Sequence, residues 1–307
     1  MDGLILVNKH QGCTSHDIII EIRKILNIQK IGHFGTLDPL ATGLMLIAVG
    51  KATRFSPFFL KLDKLYQGQI KLGFSTNTYD SSGEPTSSAN LQEPEEKLIL
   101  DAIKKLEGEI NQIPPPFSAK KYKGKPLYKL ARQKKEVKLK PSSIFIHFFR
   151  IKKYHPPFID FEVKCSAGTY VRSLAHDLGQ ILGCGAHLSE LVRTEIGTFR
   201  ISNAFFQEEI KRLAGQKKFE DFLIPLELLL PQFPRVILKD KGSALVKNGN
   251  AVSPDNISKM VRQDSHQAPD LKEEEMIFRL FSLEGKFLAL AKKKPEKNIL
   301  HPFLVIC

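Results

Sequence analysis

Tryptophan is absent from this sequence, and cysteine and methionine occur only four times each. Cys13, Cys165, Cys184 and Cys307 form no C-x-x-C pair and have no histidine at zinc-finger spacing, so neither a zinc site nor a disulfide framework is expected. They read as small buried hydrophobes in a reducing compartment. Long apolar runs are missing too. Segments 44–49 and 228–230 fall far short of the roughly 18 residues a spanning helix needs. Met1-Asp2-Gly3 also lacks the basic start of a secretory signal. The expectation is a cytoplasmic chain that takes no metal and meets no membrane. Glycine and proline are ordinary at 20 and 18, and no heptad persists, which removes fibrous folds.

Acid is the scarce charge. Against 46 basic residues stand 33 acidic ones, a formal net charge of +13, which points to a polyanionic partner. With the membrane excluded, nucleic acid remains. A hydrophobic content of 42% rules out wholesale disorder, and 307 residues favour two domains over one.

Residues 4–7 read as a buried strand, and Thr14 with Asp17 three positions later makes a capping box for a helix carrying Ile18, Ile19, Ile22, Ile25 and Leu26. Glycines 32 and 35 with Pro39 break regular structure over 32–39. Strands are expected at 44–49 and 67–72, and a polar loop at 77–90. A helix over 93–106 would turn Leu98, Leu100, Ile103 and Leu106 inward. Paired strands at 144–149 and 158–163 precede an amphipathic helix over 169–182. Strands and helices mix without strict alternation, so the class is α+β. A proline-bearing connection at 225–234 divides residues 1–230 from a small β-rich domain at 231–307.

Most of the charge sits in one place. Ten basic residues between positions 118 and 140, among them Lys120, Lys121, Lys123 and Arg132, meet a single acid, Glu136, giving +9 of the net +13. Tyr122 and Tyr128 are interleaved, offering flat surfaces for bases among cations for phosphates. A solvated helical face would also be charged, but this density exceeds what solubility requires. The prolines at 114–116 stiffen the base of an insertion spanning about 113–140.

The densest loop is Gly32-His33-Phe34-Gly35-Thr36-Leu37-Asp38-Pro39-Leu40-Ala41-Thr42-Gly43. Its chemistry leaves two roles open for Asp38: a nucleophile or base on a stiff loop, or a turn residue before proline. This loop resembles the catalytic motif of the TruB family of tRNA pseudouridine synthases, in which the aspartate is the nucleophile. The resemblance continues in order through 3–17, Lys64-Leu65-Tyr66, 72–80, Pro115-Pro116-Phe117-Ser118-Ala119, 165–172 and 185–194. His10, Asn77 and Phe117 depart from the family's usual Pro, Asp and Tyr.

The resemblance implies a pseudouridine synthase fold: a mixed, largely antiparallel central sheet flanked by helices, followed by a PUA-like RNA-binding domain. It implies conversion of uridine to pseudouridine at position 55 in the T arm of tRNA, with the nucleotide flipped out of its helix. Asp38 is then the nucleophile, Arg172 its guanidinium partner, and Tyr66 the residue that stacks on the base and transfers a proton. His33, Tyr170, Leu191 and Lys64 become uridine-site residues, and Lys120, Lys121, Lys123 and Arg132 contact RNA. No cofactor is implied, because substrate and product are isomers. The implied enzyme is a monomer needing no protein partner. Two other readings use the same features: a tRNA-binding folding factor whose chemistry is secondary, and a dyskerin-like, guide-dependent enzyme acting on ribosomal RNA.

Overall fold

The computed structural model describes residues 1–86, 88, 93–118, 121–122, 124–126, 133, 139–261, 276–294 and 298–306, without the side chains of 121, 122, 125 and 126. Lys120, Lys123 and Arg132 lie outside the described residues, as does the side chain of Lys121. Packing divides the chain into two compact units. The larger comprises Ile5–Ile47 and Phe55–Phe222, and the smaller comprises Met1–Leu4, Ala48–Arg54 and Leu223–Cys307.

The larger unit is built on a mixed sheet. Its strands are β1 (Gly3–Lys9), β2 (Ile31–His33), β3 (Thr42–Val49), β4 (Lys64–Leu72), β5 (Gly108–Gln112), β8 (Ser142–His155), β9 (Phe158–Cys165), β10 (Ala186–Ile196) and β11 (Phe199–Arg200). The two-residue strands β6 (Lys121–Tyr122) and β7 (Lys125–Pro126) pair apart from it. The sheet order is β1-β3-β10-β4-β9-β8-β5, with β2 on β3 and β11 on β10. β3 and β10 run parallel, while β10-β4-β9-β8-β5 is antiparallel throughout. The helices of this unit are α1 (Ser15–Leu26), α2 (Ser56–Phe59), α3 (Glu96–Lys104), α4 (Val171–Leu182) and α5 (Gln207–Gly215).

Local sequence explains these elements. In β9 burial alternates strictly, with Ile159, Phe161, Val163 and Cys165 inward, the period of a sheet with one face on the core. The expected capping box is present: the Thr14 hydroxyl accepts from the Asp17 amide, and the Asp17 carboxylate accepts from the Thr14 amide. Asn27 ends α1 in the left-handed region. Three expectations need correction. On α3 the inward residues are Ile99, Ala102 and Ile103, with Leu106 buried just beyond its end, while Leu98 and Leu100 are exposed; Leu98 and Leu100 flank Ile99 at about 100° to either side, off the stripe that Ile99, Ala102 and Ile103 form. Regular structure persists through Gly32 to His33, because β2 pairs with β3. Cys165 and Cys184 are buried, but Cys13 is only partly so.

The smaller unit holds a five-stranded sheet. After β12 (Leu223–Pro225) come β13 (Arg235–Leu238), α6 (Asp240–Lys247), β14 (Ile257–Val261), β15 (Ile277–Phe281), β16 (Phe287–Lys294) and β17 (Ile299–Val305). The order is β14-β13-β15-β16-β17, and Val236, Leu238, Leu280, Leu288 and Ala289 pack in its core. Pro302 lies in β17, an edge strand, where the missing amide costs no ladder bond. Among the described residues no helix is long and apolar enough to cross a membrane, and no cluster of His, Cys, Asp or Glu could hold a metal.

Candidate active site

The loop from β2 to β3 carries Asp38 and is anchored from several sides. Gly35 and Gly43 adopt φ of +111° and +105°, a region that side chains rarely enter. At Gly43 an added Cβ would meet the Arg193 carbonyl oxygen at 2.4 Å, because β3 and β10 touch there in register. The Ser15 hydroxyl accepts from the Leu37 amide at 2.8 Å and donates to the Leu37 carbonyl at 3.0 Å. Lys9 is fully buried and donates to the carbonyls of His10 at 3.0 Å, Cys13 at 2.8 Å and Pro39 at 3.5 Å. Arg193, 1% exposed, donates to Leu44 at 2.8 Å, Gly35 at 3.0 Å and Thr36 at 3.3 Å. Buried carbonyls that would otherwise lack partners thus fix the loop in one conformation.

The result is an ion pair at the mouth of a cavity. Arg172 Nε lies 2.8 Å from Asp38 Oδ2, the arginine side chain being 5% exposed and the aspartate 38%. Arg172 leaves the first turn of α4, so its charge is not on the helix surface. Its remaining nitrogens donate to the carbonyls of Thr78 at 2.9 Å and Phe117 at 3.1 Å, and one stands 3.4 Å from Asp80. Asp80 is itself buried and accepts from the Thr78 hydroxyl at 2.6 Å and the Ser82 amide at 3.0 Å. The guanidinium is therefore held by two carboxylates and two carbonyls, and of the two carboxylates only that of Asp38 belongs to a side chain that is partly exposed.

The cavity measures about 270 Å³, and Asp38, Lys64, Tyr66, Tyr170, Arg172, Leu191 and Arg193 line it. The structure thus gathers six of the expected residues around one space. His33 is not among the lining residues; it is half-buried in β2, where burial holds its imidazole below the ordinary value. Tyr66 reaches the cavity from β4, paired with Arg193 of β10. Burial pushes its phenol up, opposed by the Arg193 charge, so the hydroxyl keeps its proton at neutral pH. Lys64 is pushed down to about 8 by burial, and its ammonium donates to the carbonyls of Leu60 and Leu62. Gln112 fixes Tyr170 through paired bonds to its amide and carbonyl, at 2.8 and 3.0 Å. His176 stacks on Tyr79 with centroids 3.8 Å apart, and His187 bonds the Phe74 carbonyl at 3.0 Å, both away from the lining.

Sequence reasoning had not assigned Arg193, Asp80, Ser15 or Lys9 to the site. For Arg193 a signal existed: it follows Leu191 by two positions in a strand, so a charge shares the buried face.

The model of the TruB family pseudouridylate synthase N-terminal domain matches residues 23–171, and that of the tRNA pseudouridylate synthase B C-terminal domain matches residues 172–231. The tRNA pseudouridine synthase B of Clostridium tetani is 37% identical over 296 residues, covering 96% of this chain and 97% of that protein. The chain belongs to the TruB family of pseudouridylate synthases. As a TruB-family enzyme it is an isomerase that acts on tRNA. The tRNA pseudouridine synthase B of Bacillus pumilus is 36% identical over 316 residues, spanning 100% of this chain and 98% of its own. Among solved structures, a chain in an H/ACA RNP bound to a substrate RNA containing 2′-deoxyuridine aligns with a TM-score of 0.72 and 25% identity. The alignment covers 99% of this TruB-family chain and 85% of that one.

Proposed function

We propose that the chain converts uridine to pseudouridine at position 55 in the T arm of tRNA, with Asp38 as nucleophile on a flipped-out nucleotide. The observation that carries this reading is the Asp38 carboxylate, bound at 2.8 Å to a buried arginine and 38% exposed at a cavity lined by two tyrosines. At about 270 Å³ the cavity lies near the lower end of the roughly 300–1,000 Å³ range of small-molecule sites, a size for one base and sugar rather than a helix.

The reaction breaks the bond between C1′ and N1, turns the uracil and joins C1′ to C5. The C5 proton leaves and N1 gains one, so substrate and product balance without an external reagent. A stacked uridine cannot present its glycosidic bond to Asp38, so the nucleotide must leave the helix at a cost of a few kcal/mol. Phosphate contacts from the basic segment 118–140 offset that cost. Inside the cavity a docked base excludes water, and the ion pair with Arg172 at 2.8 Å holds the Asp38 carboxylate in position. The Tyr66 phenol, which burial keeps protonated, stacks on the uracil and relays the proton: its oxygen takes the C5 proton as its hydroxyl passes its own proton on, so it ends the cycle neutral. Tyr170 and Leu191 shape the walls. The chain works as a cytoplasmic monomer, with residues 231–307 as an RNA-binding module.

The similarity to a chain of an H/ACA RNP supports a second reading, a guide-dependent enzyme. A bare T-arm hairpin carrying tritium at C5 of the target uridine separates the two. Tritium release by the chain alone is expected. Release only with an added guide RNA or protein would favour the second reading.

A further inference from the structure

In the smaller unit, β13 and β15 run parallel with Arg235 opposite Arg279. Residues in register on neighbouring strands share one face of the sheet, so two guanidinium groups stand side by side. Among the described residues no carboxylate lies within 4 Å of either. Arg279 is 4% exposed and its donors are taken: it bonds the carbonyls of Phe233 at 2.9 Å, Glu227 at 3.2 Å and Pro231 at 3.4 Å. It is a fixed cation holding the 227–233 connection.

Arg235 is different. Its guanidinium lies over the Phe281 ring, 4.2 Å from the centroid, and among the described residues its enclosed Nε has no hydrogen-bond partner. A buried donor without an acceptor favours a ligand that supplies one. Both arginines line a cavity of about 280 Å³, together with Glu227, Leu228, Phe281 and Gly285. Leu228 is 63% exposed. This cavity shares no residue with the one around Asp38.

We propose that this second cavity binds a phosphoryl group, and that its source is a backbone phosphate of the tRNA. The guanidinium fork matches phosphate oxygens, and stacking on Phe281 fixes its plane while leaving its N–H edge available. An anion also relieves the repulsion between two cations that, among the described residues, have no carboxylate within 4 Å. The exposed Leu228 offers an apolar flank to the adjoining sugar or base. Glu227 lines the same cavity and opposes an anion, so removing its charge should tighten the site. The inference goes beyond the Asp38 chemistry and rests on tRNA as the substrate.

The test uses the full chain, with Arg235→Met, which keeps a side chain over Phe281, and Arg235→Lys, which keeps the charge without the fork. Inorganic phosphate is titrated while arginine Nε–H resonances are followed, and tRNA binding is measured across a salt series. Phosphate should shift a resonance that Arg235→Met abolishes, and Glu227→Gln should lower the phosphate needed. Arg235→Met should weaken tRNA binding about tenfold and reduce the salt slope by about 1. Arg235→Lys should keep the slope and lose less affinity, which makes it the deciding variant if methionine disturbs folding. Turnover on a saturating T-arm hairpin should be unchanged, so failure of the Asp38 chemistry would register separately. An unmoved spectrum would overturn the site. Phosphate binding with wild-type tRNA affinity and slope in both variants would overturn the RNA source.

Discussion

Replacing Arg172 by lysine keeps a positive charge beside Asp38 and removes the fork. In the native site the guanidinium meets Asp38 at 2.8 Å, Asp80 at 3.4 Å and the carbonyls of Thr78 and Phe117 at 2.9 and 3.1 Å. A lysine ammonium presents three donors from one point and cannot reach four acceptors arranged around a plane. At 2.8 Å and an effective dielectric of 20, the Asp38 pair has a Coulomb energy of about 6 kcal/mol. Solvent at the 38% exposed carboxylate screens part of it. Losing roughly half of the attraction, about 3 kcal/mol, corresponds to about a hundredfold in rate if the pair acts in the transition state. The assay is single-turnover tritium release from a T-arm hairpin, paired with filter binding of the same RNA. A rate lower by about two orders of magnitude with RNA affinity within about twofold is expected. A wild-type rate, or a loss confined to affinity, would refute the reasoning.

Two further outcomes follow from the packing. Gly43→Ala places a methyl 2.4 Å from the Arg193 carbonyl at φ +105°. It should lower stability in urea by about 2 kcal/mol or more and slow turnover, because Arg193 also holds Gly35 and Thr36. Burial raises the Asp177 carboxyl to about 6 from an ordinary 3.8. The ionised form therefore costs folding energy above that value, and the cost disappears below the unfolded value. Asp177→Asn should be more stable than wild type by about 1–2 kcal/mol near neutral pH, with the difference fading as pH falls through 6 to below 4. A difference independent of pH would exclude burial of the charge as its cause.

What the sequence revealed was local order. The capping box at Thr14 and Asp17, the alternation of β9 and the glycines around Asp38 each act over a few residues, and each is visible in the chain. The inward face of α3 is also written there, as Ile99, Ala102 and Ile103; an inward Leu98 and Leu100 departs from the helical period. Contacts between distant segments were not legible from periodicity. Asp80 reaches Arg172 across 92 positions, and Arg193 reaches Gly35 across 158. Buried charges such as Lys9 and Arg193 look like surface residues until the carbonyls they satisfy are known. The Asp38–Arg172 pair was reached through resemblance to the TruB motifs, since no spacing rule joins positions so far apart.

Asp38→Asn tests the central claim most directly. It replaces the proposed nucleophile by a group of the same shape and leaves the RNA surface intact. Single-turnover release of C5 tritium from the bare T-arm hairpin should fall to background while the hairpin still binds with near-native affinity. Release at the wild-type rate would mean that another group attacks the uridine, and the role assigned to Asp38 would be wrong.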